Sequence, residues 1–200
     1  MSDPDAPPLN TRALLDALVR HQVSFVAVGG LAAQWQGAQR QTKDFDVCPA
    51  WDRENLDRVA SALQELGASL SGADAPPEGL TMPLDGAMLF RMEITTWRTD
   101  AGDIDILLGI PRDSRWDLAR YEQLRENAVL IEVGEHTVLV AALGDIIRSK
   151  EIANRPPDLE ALPDRARETL ASGSHPRFGQ RRLREEIAND GTSQEDDAPS

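Results

Sequence analysis

The segment from residue 23 to residue 46 constrains this chain more than any other stretch. It begins with the apolar run Val23–Val28, which has the length and β-branched content of a buried strand. Gly29 and Gly30 end that run, and residues 31–35 have the composition of a short helix. A glycine turn between strand and helix exposes backbone N–H groups that can bind phosphate. Glycine pairs are also ordinary turn material, so both interpretations stay open.

Two carboxylates follow on the next predicted strand, residues 44–48. Side chains alternate between the two faces of a strand, so Asp44 and Asp46 share one face while Phe45 and Val47 share the other. Two like charges on one face weaken a strand, and a divalent cation with oxygen ligands removes that penalty. The pattern therefore predicts either a metal site or a surface strand that carries two acids.

A further predicted strand, residues 103–108, repeats this arrangement. Asp103 and Asp105 share one face, and isoleucines occupy the other. If this strand pairs near the first, Asp105 adds a third carboxylate, whereas Asp103 follows Gly102 and can belong to the turn. Three carboxylates can hold two Mg²⁺ ions ~3.5–4 Å apart, which position a triphosphate and activate an attacking hydroxyl.

Lys150 is one of only two lysines in the chain. Within a helix predicted for residues 142–153, 3.6-residue spacing places it in an otherwise apolar stripe. A lysine in that position either extends its amine to solvent or meets an internal anion. Asp158 follows two prolines at a predicted helix start, where an acid complements the helix dipole in any case.

Composition limits the class of protein. The formal charge of −13 argues against a protein that coats nucleic acid, and the one dense basic run is the four arginines between residues 177 and 184. The single cysteine, Cys48, excludes an internal disulfide and fits a small buried hydrophobe. No segment approaches ~18 apolar residues, and the N-terminus lacks a basic start and an apolar core. We therefore expect a cytoplasmic protein with no membrane partner.

Periodicity and capping signals predict the order of the elements. Residues 1–8 are expected to be disordered, residues 9–172 to form one domain, and residues 173–200 to form a charged tail that is helical and then disordered. The predicted elements are helices at 11–21, 52–66 and 142–153, a short helix after Gly30, a further helix introduced near Pro111, strands at 23–28, 44–48, 87–98 and 103–108, and a hairpin at 128–140.

These motifs together carry a resemblance to a known family. The front motif GG…G-x-x-R-x-T-x-D-x-D consists of Gly29, Gly30, Gly37, Arg40, Thr42, Asp44 and Asp46. With Asp105 between two isoleucines, and with the segment 145–159 (DIIRSKEIANRPPDL), the chain resembles the polymerase-β-type nucleotidyltransferases. It is most similar to the minimal AbiEii/MenT-like branch, known as toxins of bacterial toxin–antitoxin systems. The resemblance covers about residues 12–170.

The resemblance implies an α/β fold with a small mixed, partly antiparallel sheet flanked by helices. It also implies that Asp44 and Asp46 bind Mg²⁺, with Asp105 as the third carboxylate or the general base. Asp158 would support Lys150 or the acceptor site.

The resemblance further assigns the nucleotide-binding residues. Gly29 and Gly30 would cradle the triphosphate of an NTP, Thr42 belongs to the same motif, and Lys150, with Arg40, would neutralise the phosphates. Many members of the superfamily carry Gly-Ser where this chain has Gly-Gly, so a serine contact to phosphate is absent here.

The implied reaction transfers a nucleoside monophosphate from an NTP to an acceptor hydroxyl and releases pyrophosphate. Toxins of this branch modify the acceptor end of tRNA, so a tRNA 3′ end and a cognate antitoxin protein are the expected partners. Three alternatives stay open: an enzyme that nucleotidylates a small molecule such as an antibiotic, an enzyme that nucleotidylates a protein side chain, and a binding module without activity.

Overall fold

The computed structural model describes residues 7–39, 42–71 and 82–153. These ranges contain six helices and nine strands, in the order α1 (Thr11–Arg20), β1 (Phe25–Val28), α2 (Gly29–Trp35), β2 (Asp44–Pro49), α3 (Arg53–Glu65), β3 (Ser69–Ser71), α4 (Gly86–Phe90), β4 (Ile94–Thr99), β5 (Gly102–Leu107), β6 (Ile110–Ser114), β7 (Asp117–Ala119), α5 (Tyr121–Asn127), β8 (Val129–Val133), β9 (His136–Val140) and α6 (Leu143–Ala153).

Seven of these strands form one mixed sheet in the order β3-β4-β5-β2-β1-β9-β8. The β2–β5 and β1–β9 pairs are parallel, and the other neighbours are antiparallel. Helices α2, α3 and α5 pack against the central strands β1 and β2. The predicted α/β class with a mixed, partly antiparallel sheet flanked by helices is therefore confirmed, although the sheet is larger than expected.

The core lies against one face of the central strands. Phe45 on β2 is opposite Ile104 on β5 in the parallel register, and both side chains are fully buried. Phe45 also makes edge contacts with the rings of Phe25 and Trp35, at centroid distances of 6.3 and 5.9 Å. Full burial of one such side chain contributes about 1.5–3 kcal/mol, so this face fixes how β2 and β5 align.

Capping residues set the helix starts as the sequence predicts. Asn10 accepts a hydrogen bond from the backbone of α1, and Asp52 does the same for α3. The inward stripe of α1 contains Leu14 and Leu18, which are fully buried. The spacing of apolar residues in α1 also predicts Val19 for this stripe, but its side chain is 45% exposed, so that prediction is wrong.

The prediction of a strand at residues 87–98 is wrong for the first half of that range. Residues 86–90 form helix α4, and strand β4 begins only at Ile94. The helix begins there because Asp85 caps it and because the N–H of Gly86 donates to Asp57, 29 residues earlier on α3. A short apolar run fits a strand or a buried helix equally well, and a contact so distant in sequence decides between them.

The helix expected near Pro111 is also a correction. Residues 110–119 form the two-stranded ribbon of β6 and β7, and helix α5 begins only at Tyr121. Cross-strand hydrogen bonds from Arg112 to Asp117 stabilise the ribbon at the place where a helix was predicted. Strand β3 at the sheet edge was not predicted.

The remaining elements agree with the sequence predictions. The hairpin of β8 and β9 turns at Gly134, whose φ of 65° suits glycine, and α6 covers residues 143–153. No helix in the described ranges is long and apolar enough to cross a membrane. The expected terminal segments at 1–8 and 173–200 lie largely or wholly outside the described residues.

Candidate active site

Four carboxylates form two facing rows on the sheet. Asp44 is opposite Asp103, and Asp46 is opposite Asp105, in the parallel register of β2 with β5. Because side chains alternate, all four lie on the face opposite the buried Phe45. The two acidic strands therefore pair, which was the condition for Asp105 to join Asp44 and Asp46.

Strand β4 distinguishes the two acids of β5. Arg98 is opposite Asp103, and its Nε lies 3.6 Å from Oδ1 of that carboxylate, whereas Thr96 is opposite Asp105. The charge of Asp103 is thus countered from β4, and Asp105 is the acid beside Asp46. The sequence analysis missed Arg98. Its pairing could have been predicted, because a two-residue turn at Asp100 and Ala101 places Thr99 opposite Gly102 and therefore Arg98 opposite Asp103.

Asp46 is the electrostatic centre of the cluster. Its half-buried position is the main reason that its pKa is raised to about 7, and repulsion from Asp44 and Asp105 raises it further. A hydrogen bond from the backbone N–H of Gly30 and the positive charge of Lys150 oppose the increase. Near neutral pH this carboxyl is only partly ionised, and a cation at the cluster would favour release of the proton.

The two glycines allow a very close approach to these acids. A Cβ atom on Gly29, whose φ is 70°, would lie 1.9 Å from Oδ2 of Asp46. A Cβ atom on Gly30 would lie 2.7 Å from Oγ1 of Thr42, and that hydroxyl donates a hydrogen bond to Asp44. Glycine is required here by neighbours on β2 and the loop before it, a reason that the sequence pattern alone did not supply.

Lys150 lies within electrostatic range of the cluster. Its side chain is half-buried on α6, next to the buried Ile146 and Ile147, and its charge acts on Asp46. The structure thus brings together Asp44, Asp46, Asp105, Gly29, Gly30, Thr42 and Lys150. The other two predicted site residues, Arg40 and Asp158, lie outside the described residues.

The cluster is not a closed metal site as it stands. Among the described residues, no three His, Cys, Asp or Glu side chains already converge on one point at ligand distance. Carboxylates without a counter-ion repel one another, so convergence before a cation binds is not expected. The donor set consists of carboxylate oxygens, which is the chemistry that Mg²⁺ prefers.

The cysteine belongs to the core. Cys48 is fully buried on β2, and burial raises the pKa of its thiol to about 12. A thiol with that pKa stays protonated at neutral pH, so it is a poor nucleophile and a poor metal ligand. The prediction of a small buried hydrophobe is confirmed.

Comparison with known proteins gives only distant likenesses. No family model matches the chain, and no curated protein matches it. It is similar to a proposed nucleotidyltransferase from Thermotoga maritima, with 14% identity, coverage of 89% of this chain and 90% of the other, and a TM-score of 0.44. It is similar to ANT(2″)-Ia in complex with adenylyl-2″-tobramycin, with 14% identity, coverage of 79% and 82%, and a TM-score of 0.46. It is also similar to the solution structure of the antibiotic-resistance factor ANT(2″)-Ia, with 12% identity, coverage of 89% of this chain and 91% of the other, and a TM-score of 0.47. Likeness at this level carries no argument about the reaction, so the toxin-branch assignment stays a prediction.

Proposed function

We propose that this chain is an Mg²⁺-dependent nucleotidyltransferase that transfers a nucleoside monophosphate from an NTP to an acceptor hydroxyl. One observation carries the proposal: Asp46 lies among Asp44, Asp105 and the charge of Lys150, with a pKa raised to about 7. A fold gains no stability from three adjacent carboxylates, and perturbed acids grouped in this way are typical of functional sites. The glycines at the same acids are the second support.

Asp44, Asp46 and Asp105 would hold the cation. Bound to these oxygens, Mg²⁺ would neutralise phosphate charge and align the triphosphate with the attacking hydroxyl. The residues fit this role because all of their donor atoms are oxygens and because Gly29 leaves the space beside Asp46 free of a side chain.

The chain's own residues would perform the proton and charge transfers. Asp105 accepts the proton of the acceptor hydroxyl, whose oxygen forms a bond to the α-phosphorus of the NTP. The bond between the α-phosphorus and the bridging oxygen breaks, and pyrophosphate leaves with its charge countered by Lys150. In the structure the backbone N–H of Gly30 donates a hydrogen bond to Asp46. A phosphate could accept this hydrogen bond only if the Asp46 carboxylate turned away from Gly30, and the carboxylate would then bind the cation.

A tRNA 3′ end is the acceptor that we favour, in a toxin opposed by a cognate antitoxin in the cytoplasm. The support is the front motif with its two glycines and two aspartates, and the back motif around Lys150. Within this proposal Arg40 assists in binding the phosphates, and Asp158 supports Lys150 or the acceptor.

A second candidate acceptor is a small cationic molecule such as an antibiotic. The net charge of −13 favours it, because an acidic protein attracts cations and repels the phosphate backbone of RNA. ANT(2″)-Ia, one of the similar structures, carries adenylyl-2″-tobramycin.

The test is a transfer assay with each of the four NTPs labelled at the α-phosphate, Mg²⁺ and one acceptor at a time: total tRNA, an aminoglycoside, or the protein alone. Label in the tRNA supports the favoured acceptor, and label in the drug or in the protein supports an alternative. Asp46→Asn should abolish transfer, whereas the control Asp103→Asn, on the same sheet face, should retain much of it. No transfer from any NTP, or normal transfer by Asp46→Asn, would refute the proposal.

A further inference from the structure

The ribbon formed by β6 and β7 carries an aromatic side chain that packing does not explain. Trp116 lies in its turn and is 87% exposed, more than any other large hydrophobic side chain in the described ranges. A single exposed tryptophan contributes nothing to the core. Its indole ring offers an open aromatic face on which a nucleotide base can stack.

Hydrogen bonds hold this turn in a defined conformation. Oγ of Ser114 accepts from the backbone N–H groups of Trp116 and Asp117, at 3.3 and 3.2 Å. Arg112 donates to both carboxylate oxygens of Asp117 across the ribbon, at 3.0 to 3.2 Å. These bonds hold the backbone that carries the indole, so little main-chain entropy is lost when a ligand binds the turn.

The ribbon is fixed near the candidate active site. Its base is tight, since a Cβ atom on Gly109 would lie 2.6 Å from the carbonyl oxygen of Ala119. Strand β6 packs against α6, the helix that carries Lys150. A guanidinium nitrogen of Arg148 on that helix lies 3.8 Å from Oδ1 of Asp113 on the ribbon. Strand β6 also follows two residues after β5, and its five residues span about 17 Å. Trp116 follows the end of β5 at Leu107 by nine residues, so the tip lies within roughly 30 Å of the end of the strand that carries Asp105.

The charge beside Trp116 indicates the class of ligand. Arg112 and Arg148 pair with ribbon aspartates, whereas Arg115 is exposed and forms no ion pair within the described part of the chain. An aromatic face beside a guanidinium is the combination with which proteins bind single-stranded nucleic acid, because bases stack on the ring and phosphates pair with arginine.

We propose that the ribbon tip binds the single-stranded 3′ segment of an RNA acceptor, with a base stacked on Trp116 and a phosphate paired with Arg115. The delivery of the terminal hydroxyl to the carboxylates rests on the proposed nucleotidyltransferase function. The binding itself does not, because it uses residues outside the catalytic cluster.

The test measures binding of the full chain to a short single-stranded RNA with a free 3′ hydroxyl, by fluorescence anisotropy without NTP or metal. Trp116→Ala should raise the Kd by about 5- to 100-fold, the effect of losing one stacked base. Arg115→Ala should weaken binding several-fold and reduce the slope of log Kd against log salt by about one. The control Phe90→Ala removes an aromatic side chain that is 56% exposed on α4, and it should leave the Kd unchanged.

The outcomes separate this proposal from the proposed function. Binding that depends on Trp116 without any transfer of label supports the ribbon and refutes the enzyme. Transfer with an RNA Kd that is the same for wild type, Trp116→Ala and Phe90→Ala refutes the ribbon alone. Loss of self-association in Trp116→Ala, seen by sedimentation with no change in RNA binding, would show that a second copy occupies the tip and would overturn the proposal.

Discussion

Replacement of Asp46 by asparagine should stabilise the metal-free protein. Asparagine has nearly the same shape, and its amide oxygen can still accept the hydrogen bond from Gly30. It carries no charge, so the repulsion from Asp44 and Asp105 disappears together with the cost of burying an ionised group. An acid that destabilises its own fold is expected if function, as proposed above, requires its charge.

The size and pH dependence of this gain follow from the pKa of Asp46. Folding raises that pKa to about 7, from about 3.9 in the unfolded chain. The folded wild type therefore holds its proton more tightly, and it loses stability as the pH rises from about 4 to about 7. Complete ionisation of Asp46 would lower the free energy of unfolding of the wild type by about 4 kcal/mol. Because solvent screens charge at a half-buried site, we expect Asp46→Asn to gain about 2–4 kcal/mol of stability at pH 8.

Urea denaturation in the presence of a chelator measures this gain at pH 5 and pH 8. The advantage of Asp46→Asn should be larger at pH 8, and millimolar Mg²⁺ should reduce it by stabilising the wild type. Asp103→Asn is the matched control, because its carboxylate faces Arg98 and its removal should give no stabilisation. An Asp46→Asn protein that is no more stable than wild type at pH 8, or equally favoured at both pH values, would refute the reasoning.

Three further changes test separate contacts. Gly29→Ala should lower the free energy of unfolding by about 1–2 kcal/mol, because the backbone is left-handed there, and denaturation measures this loss. It should also weaken Mg²⁺ binding, because the added methyl group contacts Asp46, and metal titration measures that effect. Lys150→Met keeps the apolar stem and removes the charge, so it should raise the apparent KM for NTP by about tenfold or more in the transfer assay. Asp16→Asn should destabilise the protein more at pH 7 than at pH 3. The 2.5 Å hydrogen bond to His136 lowers the pKa of Asp16, and this stabilisation is lost as the pH falls through that pKa, which urea midpoints at both pH values measure.

Two of these changes have a control variant in the chain, and Asp16→Asn is compared between two pH values. Gly134→Ala places alanine at another left-handed position with no heavy atom within 4 Å, so it should cost stability without affecting Mg²⁺ binding. Lys43→Met removes the other lysine, which is exposed, and should leave the KM unchanged. The stated cause for Gly29 would be contradicted by equal Mg²⁺ affinity in Gly29→Ala and Gly134→Ala. Equal KM values for the two lysine variants would contradict the role of Lys150. An Asp16→Asn effect of the same size at pH 3 and pH 7 would contradict the role of the Asp16–His136 hydrogen bond.

Features that repeat locally could be predicted from the sequence. The alternation around Phe45 and Ile104 predicts which faces of β2 and β5 are buried, and therefore which acids share the other face. Asn10 and Asp52 predict two helix starts through hydrogen bonds that reach only three residues along the chain. The position of Lys150 in an apolar stripe left two interpretations open, an amine in solvent or an amine near an internal anion, and in the structure its charge acts on Asp46.

Features that depend on distant partners could not be predicted in this way. Helix α4 is stabilised by Asp57, and the pairing of Arg98 with Asp103 depends on a sheet register. The requirement for glycine at position 29 arises from a carboxylate 17 positions later in the chain, which composition and spacing around the turn do not reveal.

The parallel register of β2 with β5 also limits the ways in which this protein can misfold. A slip of one residue in either strand would turn its acids toward the core and expose Phe45 or Ile104. Ionised carboxylates in an apolar interior cost many kcal/mol, so a slipped chain cannot form a stable folded molecule. Burial of Phe45 and Ile104 therefore excludes a register that is slipped by one residue, and folded molecules keep the four acids on the face opposite the core. Preparations of this protein should contain no long-lived folded population in which β2 and β5 are slipped by one residue.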